Sequence, residues 1–381
     1  MKYLPLVWAG LWRRPARTIF TFLSIVVAFI LFGILSAISG GLAQALEASR
    51  MDRLFVDTRY GTALPYAYVD KVAAVPGVTV VAPRQIIVGY YRDPKQPMGI
   101  VMSDRRFFAV RPELNATKAQ IDQLMRTRTG ALITVFSSKQ FGWKVGDKVP
   151  IISNTLKKDG GKVWTFDILG IIDDVDRPGR SRFFISNYDY VDQERVAEKG
   201  TIDRMLVRIK DPARATQISR TIDALFANSG APTRTVSEKS AAQSGVQSLG
   251  DIGFFISAVV SAVLFMLLFL TGNTMMQSVR ERMPEFAVLK AMGYSDSKLL
   301  WLVYAESAIL CVLAALAGLA IAKLGIPKIK EFAPQTGQLL LMPWSATLMG
   351  LGFSLLVAII SGLVPALRAR RMSIIDALAG R

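Results

Sequence analysis

Side chains able to do chemistry are few in this sequence. Histidine is absent, and cysteine occurs once, as Cys311, inside an apolar run. A Ser-His-Asp or Cys-His apparatus therefore cannot be built, nor a His/Cys zinc site. A single cysteine allows no intramolecular disulfide. No G-x-x-x-x-G-K-[ST] phosphate loop occurs, so ATP has no cradle of that kind here. What remains is charge set beside apolar surface. Between Ser278 and Ser295, the charged residues Arg280, Glu281, Arg282, Glu285 and Lys290 are interleaved with Phe286, Leu289 and Met292. Glu306 then stands as an ionisable group within an apolar run.

The charged stretch predicts a short helix. Pro284 suits a first helical turn, Glu285 favours the same end of the helix dipole, and Gly293 provides a stop. Phe286, Leu289 and Met292 recur at helical spacing and form an apolar stripe. Such a helix either docks into a groove on a partner or lies on lipid. In the docked reading Glu285, Phe286, Leu289 and Met292 insert, with Arg282 and Lys290 at the rim. Glu306 is costly as an isolated charge in a membrane span. It reads as a polar anchor joining its span to the short helix, or as a side chain reaching the interface. A proton relay would find no partner acid or histidine in the spans.

These residues must be positioned by membrane helices. Mean hydropathy is +0.35, with 51% hydrophobic but also 20% charged residues, so the apolar residues are gathered in blocks. The blocks run near Thr18–Gly41, Ile252–Met276, Leu299–Ala322 and Trp344–Leu367. Each approaches the roughly 20 residues a spanning helix needs. Ala43-Gln44-Ala45 resembles a signal-peptide cleavage site, but the first block exceeds the usual apolar stretch of about 7–15 residues. It is expected to stay as a span. Ser24, Ala28, Ser36 and Gly40 share one face of the first block, and Gly253, Ser257 and Ser261 share one face of the second. Small faces let helices approach closely. They are a candidate dimer interface, or packing within one chain.

The formal net charge is +17. Nucleic-acid binding is one source of such a charge, and cytoplasmic anchoring of spans is the other. The basic residues nearest the spans favour anchoring and no nucleic-acid partner. Lys2, Arg13, Arg14 and Arg17 precede the first block. Arg280, Arg282, Lys290 and Lys298 lie between the second and third, and Arg368, Arg370 and Arg371 follow the fourth. Four spans place all three groups on one side, the cytoplasm. Lys328 and Lys330 in the opposite loop run against this pattern.

The long segment between the first two spans is then extracytoplasmic and reads as mixed α/β. Helical pattern covers Tyr66–Val75, Asn115–Arg126 and Ala213–Ala227. Strand pattern covers Val78–Val81, Gln85–Tyr91, Ala131–Val135, Val149–Ile152, Val163–Ile172, Arg182–Ser186 and Arg204–Ile209. Asp159-Gly160-Gly161 signals a hairpin turn.

The run Arg280-Glu281-Arg282 through Glu285-Phe286-Ala287-Val288-Leu289-Lys290-Ala291-Met292-Gly293 resembles the cytoplasmic signature of MacB/FtsX-type ABC permeases, a family that includes the lipoprotein-releasing Lol permeases. Tyr304-Ala305-Glu306-Ser307 resembles that family's membrane-embedded glutamate motif. Pro365 through Leu378 resembles its C-terminal motif, departing at Ile374, where the family has proline. The resemblance spans the whole chain. It implies a coupling helix made of Arg280, Glu281, Arg282, Glu285, Phe286, Leu289, Lys290, Met292 and Gly293. It also implies two permease chains, as a homodimer or with a related permease, and two copies of a separate ABC ATPase subunit.

The expected architecture is an α-helical membrane protein with four transmembrane helices and a large extracytoplasmic α/β domain, porter-like with a β-rich insert, between spans one and two. The expected organisation runs: N-terminus 1–17, span 18–41, periplasmic domain 42–251 with the insert near 131–191, span 252–277, coupling helix and loop 278–298, span 299–323, short loop 324–343, span 344–367 and C-terminus 368–381. The chain is expected to sit in a bacterial inner membrane with both termini cytoplasmic. It should hold no cofactor and catalyse nothing, with ATP and Mg bound by the partner. Efflux with a periplasmic adaptor, or export of a hydrophobic compound, is the leading reading. Lipid or lipoprotein extraction, signalling to a cell-wall hydrolase, and an ATPase-independent sensor are the rivals. Membrane lipids are expected contacts.

Overall fold

The structure is a computed structural model, and it describes residues 12, 14–47, 49–248, 250, 252–332 and 340–371. The C-terminal motif from Met372 to Leu378, together with Lys2 and Arg13, lies outside the described residues. The chain divides into two compact units, Ala45–Ser248 and, on either side of it in sequence, Met1–Gln44 with Leu249–Arg381.

The first long element is helix α1 (Pro15–Glu47). The intervening unit is built on strands β1 (Arg53–Thr58), β2 (Leu64–Pro65), β3 (Val78–Tyr90), β4 (Pro97–Ser103), β5 (Gly130–Thr134), β6 (Lys148–Ser153), β7 (Val163–Ile172), β8 (Phe184–Asn187), β9 (Thr201–Ile202), β10 (Arg204–Ile209) and β11 (Thr233–Ser237). Nine of these strands form one mixed sheet in the order β11-β1-β10-β3-β4-β8-β5-β7-β6. Alternation decides the faces. Along β7, Trp164, Phe166 and Ile168 are buried while the residues between them are more exposed. The β6–β7 connection turns at Gly160, whose φ of +78° suits a residue without a side chain.

Sequence patterning predicts two strands across Val78–Tyr91, split near Pro83, whereas the structure has one strand of 13 residues. Pairing explains it. Residues Val78 to Arg84 pair with β10, and Gln85 to Tyr90 pair with β4. Pro83 falls at the seam between two ladders, where a missing N–H is tolerated.

Helices α2 (Tyr68–Ala73), α3 (Arg106–Val110), α4 (Lys118–Arg126), α5 (Val135–Phe141), α6 (Tyr188–Glu194), α7 (Ala215–Leu225) and α8 (Glu238–Ser248) complete this unit. Helix α4 starts on a reciprocal cap: Thr117 Oγ1 accepts from the Gln120 N–H at 3.2 Å, and Gln120 Oε1 accepts from the Thr117 N–H at 2.9 Å. One buried cluster joins Leu54, Val56 and Val207 of the sheet to Val69 and Val72 of α2 and Ile218 and Ile222 of α7. The other joins Phe55, Ala82 and Leu206 to Phe107 and Phe108 of α3 and Leu124 of α4.

The helical unit contains α1 with α9 (Ile252–Glu281), α10 (Met283–Ala291), α11 (Asp296–Phe332) and α12 (Trp344–Arg371). All but α10 are long and apolar enough to cross a membrane. At 30 residues α9 extends about 45 Å, beyond a hydrocarbon core of about 30 Å, so it carries its last turns out of the apolar layer. Small residues set the packing. A Cβ on Gly318 of α11 would meet Val26 O at 2.6 Å, and one on Gly33 of α1 would meet Ala322 Cβ at 2.6 Å. Helices α1 and α11 therefore touch backbone to backbone. Helix α9 differs: only 6% of its most apolar window is buried. Leu267 is buried and Val260, Val263, Leu264 and Leu268 pack half-buried against the core, while Phe254, Phe255, Phe265, Met266 and Phe269 are exposed.

Candidate functional site

The candidate site is α10 and the helix ends that hold it. Helix α9 stops at Glu281, and Arg282 begins the new helix with its N–H donating to Ser278 O at 3.2 Å and Val279 O at 3.1 Å. Pro284 occupies the first turn, where its missing N–H breaks no helical bond. The helix ends because Gly293 adopts φ +91°, and Tyr294 N–H donates back to Leu289 O at 3.0 Å. Four residues later α11 is under way, so α10 is a rigid arm tied closely to two spans.

The arm has two distinct faces. Phe286 and Ala287 are fully buried in the core of the helical unit, and Leu289 packs half-buried beside them. Pro284, Val288, Ala291 and Met292 are exposed, at spacings that form one stripe. Val288 is 50% and Met292 64% exposed. The docking face inferred from sequence is thereby corrected. Phe286 has no surface to offer a partner, because its ring fills the space among the spans. Arg282 is not at a rim either: it is buried, with its guanidinium 5.1 Å from the Phe286 ring. Glu285 and Lys290 are half-buried, while Arg280, Glu281 and Gly293 are exposed.

Arg282 Nη1 donates to Glu306 Oε2 at 2.5 Å, and Nε lies 3.6 Å from Glu285 Oε2. Glu306 is 5% exposed in α11. Its neighbour Ser307 donates to Ala358 O of α12 at 3.3 Å. Glu281 is held from the other side. Arg17 of α1 grips it with Nη2 at 2.8 Å and Nη1 at 3.1 Å, and Arg14 Nε lies 3.2 Å away. A chain of charges thus runs from α1 through the α9–α10 junction to α11. Sequence reasoning named Arg14, Arg17, Glu281, Arg282 and Glu306 but not which of them pair.

The small residues of the first two spans separate into two groups. Ala28 is buried within the chain, and a Cβ on Gly40 would collide with Leu341 O. This side of α1 is taken up by the protein's own packing, which removes Ala28 and Gly40 from a dimer face. Ser24 and Ser36 are half-buried, Ser24 donating to Phe20 O at 2.8 Å. Gly253, Ser257 and Ser261 on α9 are exposed.

A second charged cluster, missed in the sequence, lies in the sheet unit. Arg53 of β1, 2% exposed, donates to Glu113 at 2.9 Å and to Glu238 at 3.0 Å. Arg111 reaches Glu238 at 3.1 Å and stacks over Phe183. Burial, followed by the nearby Arg53 charge, lowers the pKa of Arg111. Arg53 follows α1 in the chain and Glu238 opens the helix that precedes α9, so the cluster ties the strand leaving the first span to the helix entering the second. Among the described residues no His/Cys/Asp/Glu group is arranged to hold a metal.

Four helices long and apolar enough to span, an arm between the second and third of them, and a sheet unit inserted after the first are the architecture of a membrane protein with an inserted domain. Residues 18–225 match the MacB-like periplasmic core domain, and residues 254–374 match the FtsX-like permease C-terminal region. The chain belongs to the MacB/FtsX-type family of ABC transporter permeases. It is 26% identical over 244 residues to the uncharacterized ABC transporter permease MJ1507 of Methanocaldococcus jannaschii, covering 62% of this chain and 58% of that protein. It is 27% identical over 134 residues to the uncharacterized ABC transporter permease YknZ of Bacillus subtilis, covering 34% of this chain and 33% of that one. The chain therefore matches less than two thirds of either relative's length. Among solved structures, the periplasmic region of MacB from Actinobacillus actinomycetemcomitans has a TM-score of 0.36 at 12% identity, covering 53% of this chain and 96% of that one. The extracellular domain of YknZ from Gram-positive bacteria has a TM-score of 0.35 at 10% identity, covering 49% of this chain and 100% of that one.

Proposed function

We propose that this chain transmits ATP-driven motion from a separate ATPase subunit to its own extracytoplasmic domain. The observation that carries this reading is the two-faced arm α10. Its exposed stripe of Pro284, Val288, Ala291 and Met292 suits an apolar groove on a partner, while its inner face is fixed to the spans by Phe286 and the Arg282–Glu306 pair. A push on such an arm is delivered to α9 and α11 rather than lost in side-chain motion. The working unit is two permease copies with two ATPase copies, the latter binding ATP and Mg. The exposed Gly253, Ser257 and Ser261 face of α9 supports a contact between permease copies.

The complex sits in a bacterial inner membrane with α10 on the cytoplasmic side. It acts on cargo outside that membrane, by efflux with an adaptor or by export of a hydrophobic compound. The test is reconstitution in liposomes. The chain with its ATPase should hydrolyse ATP and export cargo, and the chain alone should hydrolyse none. Hydrolysis by this chain in a preparation free of other ATPases would contradict the reading. A cysteine introduced at Asp159 should react with an impermeant label added from outside, and one introduced at Glu281 should not; the reverse pattern would overturn the orientation.

A further inference from the structure

The helical unit holds a cavity of about 210 Å3 where the start of α1 meets the end of α9 and the first half of α11. Its size is far beyond the roughly 10–15 Å3 of the same measure that one water needs. Its walls are unusual for a membrane helix bundle. Three guanidinium groups (Arg14, Arg17 and Arg282) and two carboxylates (Glu281 and Glu306) line it, with hydroxyls between them.

The donors exceed the acceptors. Arg17 uses both terminal nitrogens on Glu281. Arg14 Nε lies 3.2 Å from the same carboxylate, and the side chain is 65% exposed. Arg282 is turned to the protein's own carboxylates, Nη1 to Glu306 and Nε 3.6 Å from Glu285. Thr21 is 5% exposed, lines the cavity, and makes no hydrogen bond among the described residues. At the α1 end of the cavity Arg14 and Arg17 share the single carboxylate of Glu281, which leaves one positive charge and the exposed Arg14 guanidinium, beside the Thr21 hydroxyl, for an anion with several acceptor oxygens.

Depth identifies the source of that anion. Arg14 and Arg17 stand at the beginning of α1, and Thr21 is already inside its apolar run. Ser278 and Glu281 stand at the opposite end of α9 from its entry into the membrane. The cavity therefore lies where headgroup phosphates meet the hydrocarbon layer, and basic pockets between spans at that depth suit anionic headgroups. We propose that this cavity binds the phosphate of an anionic phospholipid. The site requires only this depth and does not depend on the coupling role of α10.

The experiment uses the full chain, delipidated in a neutral detergent. Phosphatidylglycerol, phosphatidylcholine or inorganic phosphate is added, and bound lipid is counted by native mass spectrometry alongside the thermal midpoint. Phosphatidylglycerol should be retained and should raise the midpoint, while phosphatidylcholine and inorganic phosphate should do neither. Arg14→Gln should weaken phosphatidylglycerol retention about fivefold, the loss of one near-surface cation, and Thr21→Val should weaken it as well. Lys328→Gln, an exposed cation elsewhere on α11, should leave it unchanged. If inorganic phosphate substitutes for the lipid, the site is not a lipid site. Equal weakening in Lys328→Gln would reduce the effect to general charge attraction. Unchanged retention in both Arg14→Gln and Thr21→Val would also overturn the proposal.

Discussion

Arg282 at the head of the short helix and Glu306 inside the third span form a buried ion pair, Nη1 to Oε2 at 2.5 Å, with side chains 11% and 6% exposed. Such a pair is weak evidence for stability but strong evidence of fixed geometry, because either partner alone is an uncompensated charge. Glu306→Gln should therefore destabilise the purified protein by about 3–5 kcal/mol. The double variant Arg282→Gln with Glu306→Gln should recover most of that loss. Thermal unfolding of both variants checks this; a double variant no more stable than the single one would mean that the pair is not what holds these groups.

Packing between the first and third spans gives a second prediction. Gly318→Leu would press a side chain against Val26 O and against Phe29 Cβ, which lie 2.6 and 2.8 Å from a bare Cβ. The new atoms meet backbone, so the helices must separate. Gly352→Leu, on α12 with nothing within 4 Å, should be tolerated. Expression and thermal midpoint in the same detergent distinguish the two, with a drop in Gly318→Leu alone as the expected result.

The sheet unit offers a contrast between two arginines. Arg53 is matched by Glu113 and Glu238, so Arg53→Met should destabilise by about 3–5 kcal/mol through the carboxylates it strands. Arg84 lies beside Arg204 on the neighbouring strand, and its Nε has no acceptor. Burial, then the Arg204 charge, brings its pKa down to about 10. Its charged form is disfavoured by folding, so the penalty is fully present at neutral pH and fades as pH rises through 10 towards the unfolded value. Arg84→Met should raise the thermal midpoint at pH 7, with a gain that holds up to about pH 10 and shrinks only above it. A lowered midpoint at pH 7 would contradict this reading and show that attraction to Asp203 and Asp57 outweighs the burial of Arg84.

Much of the architecture is legible in the sequence because it follows from local periodicity. Four apolar blocks become four helices, β7 alternates as its residues dictate, and Pro284 with Gly293 delimits the short helix. What local pattern does not contain is orientation. Phe286, Leu289 and Met292 form one apolar stripe, and Pro284, Val288, Ala291 and Met292 form another. Both are helical in spacing, and only the packing of the spans decides which faces inward. Long-range charge pairing was illegible for a related reason. Arg53 meets Glu113 and Glu238 across separations of 60 and 185 residues, and Arg17 meets Glu281 across 264. Carboxylates and guanidiniums scattered in sequence look like solvated surface until a sheet or a bundle brings them together.

The most direct test compares the two faces of α10 in the complex with the ATPase subunit. Val288→Asp with Met292→Asp places charges in the proposed contact, where burial without a partner costs on the order of a few kcal/mol. This variant should fold with an unchanged thermal midpoint yet lose co-purification with the ATPase by roughly a hundredfold in affinity. Phe286→Ala, which empties a fully buried site, should instead lower the midpoint, by about 3–5 kcal/mol in stability. The predicted result is loss of the partner without loss of fold in the first variant, and loss of stability in the second. A Val288→Asp, Met292→Asp protein that still co-purifies with its ATPase and still drives transport would contradict the assignment of this face.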